Sequence, residues 1–147
     1  MRWSKRWLVL MGVATATTFA PAQGADNETQ KRARAVSSYV VLCETISRIG
    51  IQVGVMLQRH PYDKALARYA RDLGQLHARF MTNLKPPPGA EDLHRKFTQA
   101  VANFARSARA RYEGDYPTAR GFGDKCMKNF AESIEEVLKL KKRGVIP

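Results

Sequence analysis

The chain has 147 residues, 44% of them hydrophobic, and a formal net charge of +12 from 25 Lys and Arg against 13 Asp and Glu. That length holds one compact domain and excludes a second. No alternating strand pattern, internal repeat or low-complexity tract is present, which leaves an all-helical domain as the class to argue for.

The first 25 residues read as a secretory signal peptide. Arg2, Lys5 and Arg6 form a basic start, residues 8–20 form an apolar run too short to span a membrane comfortably, and cleavage is expected after Ala22, Gly24 or Ala25. An uncleaved anchor is the alternative. Loss of the three basic residues lowers the net charge from +12 to +9. No cysteine follows the apolar run, which disfavours a lipoprotein, and no later stretch reads as a membrane span. The mature domain, residues 26–147, is therefore expected to be soluble, without a transmembrane segment, in a bacterial periplasm or outside the cell.

The first helix is expected over residues 30–59. Tyr39, Leu42, Ile46, Ile49, Val53 and Met56 recur at steps of three and four, and a second apolar row, Val36, Val40, Cys43, Gly50 and Leu57, lies beside them. Pro61 ends this helix and Asp63 caps the next, over residues 64–84. There Leu66, Tyr69, Leu73, Leu76, Phe80 and Leu84 are expected to face the core, with Arg68, Arg71, Asp72 and Arg79 outward. Three prolines from Pro86 force a turn. The third helix, over residues 90–113, directs Leu93, Phe97, Val101, Phe104, Ala108 and Tyr112 inward, and Glu91 and Asp92 complement its dipole. Gly121 and Gly123 interrupt the following stretch, so the fourth helix is expected only over residues 124–142, with Cys126, Phe130, Ile134, Val137 and Leu138 inward. Four amphipathic helices with short breaks predict an antiparallel four-helix bundle.

Cys43 and Cys126 are the only two cysteines. In an exported protein two cysteines most often pair, so a Cys43–Cys126 disulfide is expected. A closed loop of that length would stabilise the fold by roughly 4–5 kcal/mol in the chain-entropy treatment. Their levels match only if residues 114–124 descend the bundle partly unwound, so that the last helix starts low.

Pro61-Tyr62-Asp63 before the second helix, Phe97 to Ala108 in the third, Gly114-Asp115 after it, and Cys126 with Phe130 in the fourth together resemble the cytochrome c′ family of exported haem-carrying bundles. The resemblance implies the same bundle, with the first helix passing the haem region near Cys43. The C-x-x-C-H haem-attachment motif is missing from Gly123-Asp124-Lys125-Cys126-Met127-Lys128-Asn129-Phe130, so the haem chemistry does not carry over and no cofactor is expected.

Of the histidines His60, His77 and His94, His77 stands one turn from Met81, and His94 opens the third helix. His77, Met81 and His94 are the candidate soft-metal ligands, although each histidine borders an apolar face where a half-buried ring is ordinary. No nucleophile elbow or acid–base carboxylate pair is present, so no enzyme is expected. Glu132, Glu135 and Glu136 read as a solvated face paired with lysines. Arg95, Lys96, Arg106, Arg109 and Arg111 crowd the third helix as a candidate anion-binding surface. The expected function is a non-catalytic envelope binding protein whose basic face contacts an acidic protein or anionic polymer. Nucleic acid is disfavoured, and a homodimer stays open. The alternatives are a cofactor-binding or metal-binding haem-type bundle, and an inhibitor or immunity protein acting on a cell-wall enzyme.

Overall fold

The computed structural model describes residues 26–147; the expected signal peptide lies outside the described residues. Four helices follow one another, α1 over Asp26–Arg59, α2 over Lys64–Asn83, α3 over Glu91–Tyr112 and α4 over Tyr116–Lys142, and no strand occurs among the described residues. They form a four-helix bundle.

The local chemistry sets the boundaries. The Asp63 carboxylate accepts a hydrogen bond from the Leu66 amide at 2.9 Å and starts α2. Glu91 reaches back to the Gly89 amide at 2.9 Å, across the turn that the prolines impose. Gly89 has φ of +94°, a backbone region that side chains resist.

The fourth helix begins eight residues earlier than the expected residue 124. The Asp115 carboxylate accepts from the Thr118 amide at 3.1 Å, and Pro117 sits in the first turn, where its missing N–H is harmless. Gly121 and Gly123 continue the helix instead of breaking it. Each glycine weakens a helix interior by about 1 kcal/mol. The Ser107 hydroxyl offsets part of that loss by donating to the Ala119 carbonyl at 2.6 Å, which ties this first stretch of α4 to α3.

The early start of α4 separates the cysteines. Tyr116 begins α4 with its ring 6.2 Å from that of Tyr62, just past the end of α1. At ~1.5 Å per residue, Cys43 lies roughly 24 Å from the end of α1 and Cys126 roughly 15 Å from the start of α4. The resulting offset of about 9 Å exceeds what a disulfide spans. Both cysteines are accordingly free, buried thiols, and the expected disulfide is corrected.

The core has two parts. The larger joins Val36, Tyr39, Val40, Cys43 and Ile46 of α1 to Met81, Leu93, Phe97, Val101, Cys126 and Phe130. The smaller consists of Val53, Leu57, Ala67, Ala70 and Ala108, and Phe104 packs against both. The second of the two apolar rows on α1 is the better buried, and Met56, expected inside, is 46% exposed.

The inward face of α2 is turned by one residue from the expected one. Ala67, Ala70, Gly74 and Met81 are buried, whereas Tyr69, Leu76 and Phe80 are exposed. Small side chains win this face because α2 and α3 approach closely. A Cβ added to Gly74 would stand 2.9 Å from the Ala105 Cα.

On α4, Cys126 and Phe130 are buried as expected, but Leu138 is exposed and Glu136 takes an inward position. The Glu136 carboxylate, expected on a solvated face, is 6% exposed and accepts from Lys96 Nζ at 2.7 Å and Lys139 Nζ at 2.9 Å.

Candidate functional site

The third helix packs backbone-close against α2 and α4, but the backbones of α1 and α4 stay apart. Their seam opens into two spaces. The upper one, of about 330 Å³, lies among Val40, Cys43, Leu93, Phe97 and Phe130, with Arg48, Leu138 and Lys141 at its outer edge. The lower one, of about 650 Å³, lies among Gly50, Gly54, Phe104, Ala119, Gly123 and Cys126. Ile51 and Phe130 border both, so the two spaces are neighbours along the seam, or cleft, between α1 and α4. Sizes of roughly 300–1,000 Å³ are those of small-molecule sites.

The cleft exists because α1 is left partly uncovered. This helix is long and apolar enough to cross a membrane by length and composition, contrary to the expectation that no stretch after residue 25 would be. Only 28% of the residues in its most apolar 18-residue window are buried. Gly50 and Gly54 deepen the lower space: a Cβ added at either would meet no atom within 4 Å. They differ in this from Gly74, whose missing side chain makes room for α3.

The walls offer little free polarity. Ser47 donates to the Cys43 carbonyl at 2.8 Å, Ser133 to the Asn129 carbonyl at 2.8 Å, and Ser107 to Ala119. Burial pushes both thiols up to about 12, so they are neutral at physiological pH. The charged groups stand at the edges: Glu44, Arg48 and Lys141 above, and Arg111, Arg120 and Asp124 below. Such a site suits an apolar body and gives no constellation for acid–base or nucleophilic chemistry.

The expected metal ligands fall elsewhere. None of His60, His77 and His94 borders either space. Met81 is fully buried in the larger part of the core, and His94 Nδ1 lies 2.6 Å from the Tyr39 hydroxyl. Burial lowers the pKa of both His77 and His94. Among the described residues no three His, Cys, Asp or Glu side chains are grouped to hold a metal. A haem bound as in the cytochrome c′ family does not fit this chain, because the attachment motif is missing and no histidine faces the cleft.

The expected anion-binding residues are mostly engaged within the protein. Arg95 pairs with Asp92 at 2.8 Å, Lys96 with Glu136 at 2.7 Å and Arg109 with Glu113 at 2.8 Å. Arg111 donates to the Leu57 carbonyl at 2.9 Å and lies over the Tyr116 ring. Arg106 is exposed and lies 5.7 Å from the centre of the Phe122 ring.

The cleft-lining positions Gly50, Ile51, Gly54 and Ser107 were not expected as site residues. Paired glycines within an otherwise apolar helix were the signal for them.

No family model, no curated protein and no solved structure matches the chain. The resemblance to the cytochrome c′ family gains no support from these comparisons.

Proposed function

We propose that this chain is an exported, non-catalytic binding protein that holds an apolar small molecule in the cleft between α1 and α4. The observation that carries this reading is the open space beside Gly50 and Gly54, where two helix-weakening glycines stand against open volume. The Ser47 and Ser133 hydroxyls that line the upper space are already bonded and the thiols protonated, so a polar ligand would find few partners there.

The reading includes an antiparallel bundle behind a cleaved signal peptide. Contact of Tyr62 with Tyr116 supports the opposed run of α1 and α4. The bond from Arg32 Nε to the Pro88 carbonyl, at 2.9 Å, brings the first turns of α1 beside the start of α3. Export rests on the basic and apolar pattern of residues 1–25.

Binding of the fluorescent apolar probe 1-anilinonaphthalene-8-sulfonate tests the function. The folded protein is expected to bind the probe at one saturable site, and Gly54→Leu, which fills open space, is expected to lose it without loss of helix content. Equal binding by wild type and Gly54→Leu would remove the cleft as the site.

A second reading keeps the basic surface as a contact for an acidic envelope partner. Arg68, Arg79 and Arg106 favour it, since they are exposed and form no ion pair among the described residues. Charge reversal at these three positions would abolish capture of an acidic partner if this surface makes the contact, and would leave it unchanged otherwise.

A further inference from the structure

We infer that the cleft takes a single-chain amphiphile with a carboxylate head, the alkyl chain lying in the upper space and the head between Arg48 and Lys141. This inference rests on the reading of the cleft as a small-molecule site and adds the class of ligand.

The upper space is graded from apolar to charged. Its floor of Val40, Cys43, Leu93, Phe97, Phe130 and Ser133 is buried, and its flanks include the half-buried Ile51, Ile134 and Val137. The one hydroxyl in the floor, on Ser133, is already committed to its own helix, so nothing inside asks for a polar atom. A carbohydrate or nucleotide would bury unpaired polar groups here, whereas a hydrocarbon chain would not.

Charge appears only at the outer edge. Arg48 on α1 and Lys141 on α4 are exposed, face the same opening from its two sides, and form no ion pair among the described residues. Glu44, one turn before Arg48, offsets one of the two charges and leaves the edge with a net single positive charge. A head bearing one negative charge complements that edge, and a neutral or cationic head does not.

Length agrees as well. From Lys141 to Phe130 the cleft follows eleven residues of α4, roughly 16 Å at ~1.5 Å per residue, which an extended chain of about a dozen carbons matches.

The test is calorimetric titration of the purified, delipidated protein with sodium laurate, sodium octanoate and dodecanol, repeated with Arg48→Gln/Lys141→Gln. Laurate is expected to bind at one site, and octanoate roughly two-hundredfold more weakly, since each of the four methylenes it lacks contributes about fourfold in affinity. The double variant is expected to weaken laurate about tenfold or more while leaving dodecanol unchanged. Both substituted positions are exposed, and a thermal melt followed by circular dichroism checks that the fold is kept. Equal affinity for laurate and dodecanol, or an unchanged laurate affinity in the double variant, would overturn the inference.

A second readout separates the two levels of the argument. Cys43 borders the upper space, so an occupant should slow its modification by methyl methanethiosulfonate. Protection by dodecanol without preference for laurate leaves the cleft as a small-molecule site and sinks the carboxylate head. Protection by neither sinks the upper space as the site, and with it the carboxylate inference; loss of probe binding in Gly54→Leu then keeps the small-molecule reading in the lower space, and equal binding sinks both.

Discussion

The hydroxyl of Tyr39 on α1 lies 2.6 Å from Nδ1 of His94 in the first turn of α3, and the two rings are 5.9 Å apart. Burial drives the phenol pKa up, so the hydroxyl stays protonated and can donate to a neutral imidazole. Burial also lowers the His94 pKa, and the pair therefore holds α1 to α3 best when the ring is uncharged.

A pH dependence follows, with a definite sign. His77 and His94 both have folded-state pKa values below the ordinary 6.5, so the unfolded chain takes up their protons first as pH falls. Their contribution is present above that value and is lost as pH drops below it. Urea unfolding is expected to show a midpoint that falls between pH 7.5 and 5.5, and His77→Gln/His94→Gln should flatten the decline. An identical slope in the double variant would exclude these two rings as its cause.

Two glycines make opposite predictions. Gly74→Ala places a Cβ 2.9 Å from the Ala105 backbone, so α2 and α3 must separate, and a loss of about 1–3 kcal/mol is expected. Gly54→Ala meets no atom within 4 Å and improves helix propensity, so a gain of up to about 1 kcal/mol is expected. Chemical denaturation of the two single variants checks both signs. A destabilising Gly54→Ala would mean that the lower space closes in solution.

The same pair explains how much of the molecule was legible in the sequence. Residue spacing carried the four helices, the turns at Pro61 and Pro86, and the buried positions Leu93, Phe97, Cys126 and Phe130, because periodicity and backbone chemistry are local properties. The inward face of α2 was misread. Size suggested Tyr69, Leu76 and Phe80, but the distance between helices decides which face is buried, and it selected Ala67, Ala70 and Gly74. The start of α4 was local after all: Asp115, Thr118 and Pro117 carry it, and they outweigh Gly121 and Gly123. The cleft was not legible, since Gly54 and Gly74 look alike in sequence and differ only in what stands opposite them.

Glu136 links α3 to α4 through Lys96, which is itself only 18% exposed. The two lysines hold its carboxyl below the ordinary range, chiefly through their hydrogen bonds. Its contribution is therefore present above the unfolded value near 4.5 and is lost as pH falls through the lower folded value. Glu136→Ala leaves the Lys96 ammonium without its carboxylate. We expect a loss of about 2–3 kcal/mol, below that of a deeply buried pair because Lys139 reaches water. Glu136→Gln, which keeps the shape and removes the charge, should lose less. Thermal unfolding at pH 7 orders the three proteins.

The two thiols give a prediction on the alkaline side. Burial raises Cys43 and Cys126 from about 9.0 to about 12, so at pH 8 each carries roughly a thousandfold less thiolate than a free cysteine. A disulfide reagent such as 5,5′-dithiobis(2-nitrobenzoate) should titrate two thiols in denaturant and react far more slowly with the native protein. The sign of the stability effect is opposite to that of the histidines: the folded state keeps protons that the unfolded chain releases, so stability is lost as pH rises past 9. Cys43→Ala/Cys126→Ala should remove the part of the decline that sets in near pH 9 and leave the part above pH 10.0 that the buried Tyr39 phenol contributes, at a cost in packing that is independent of pH. The level difference of about 9 Å between the two positions, set by the start of α4 at Tyr116, keeps the sulfurs apart under oxidising conditions as well. Intact mass after exposure to copper phenanthroline is expected to retain both thiol hydrogens, and a loss of two mass units in the monomer would place the start of α4 lower than the Asp115 cap puts it.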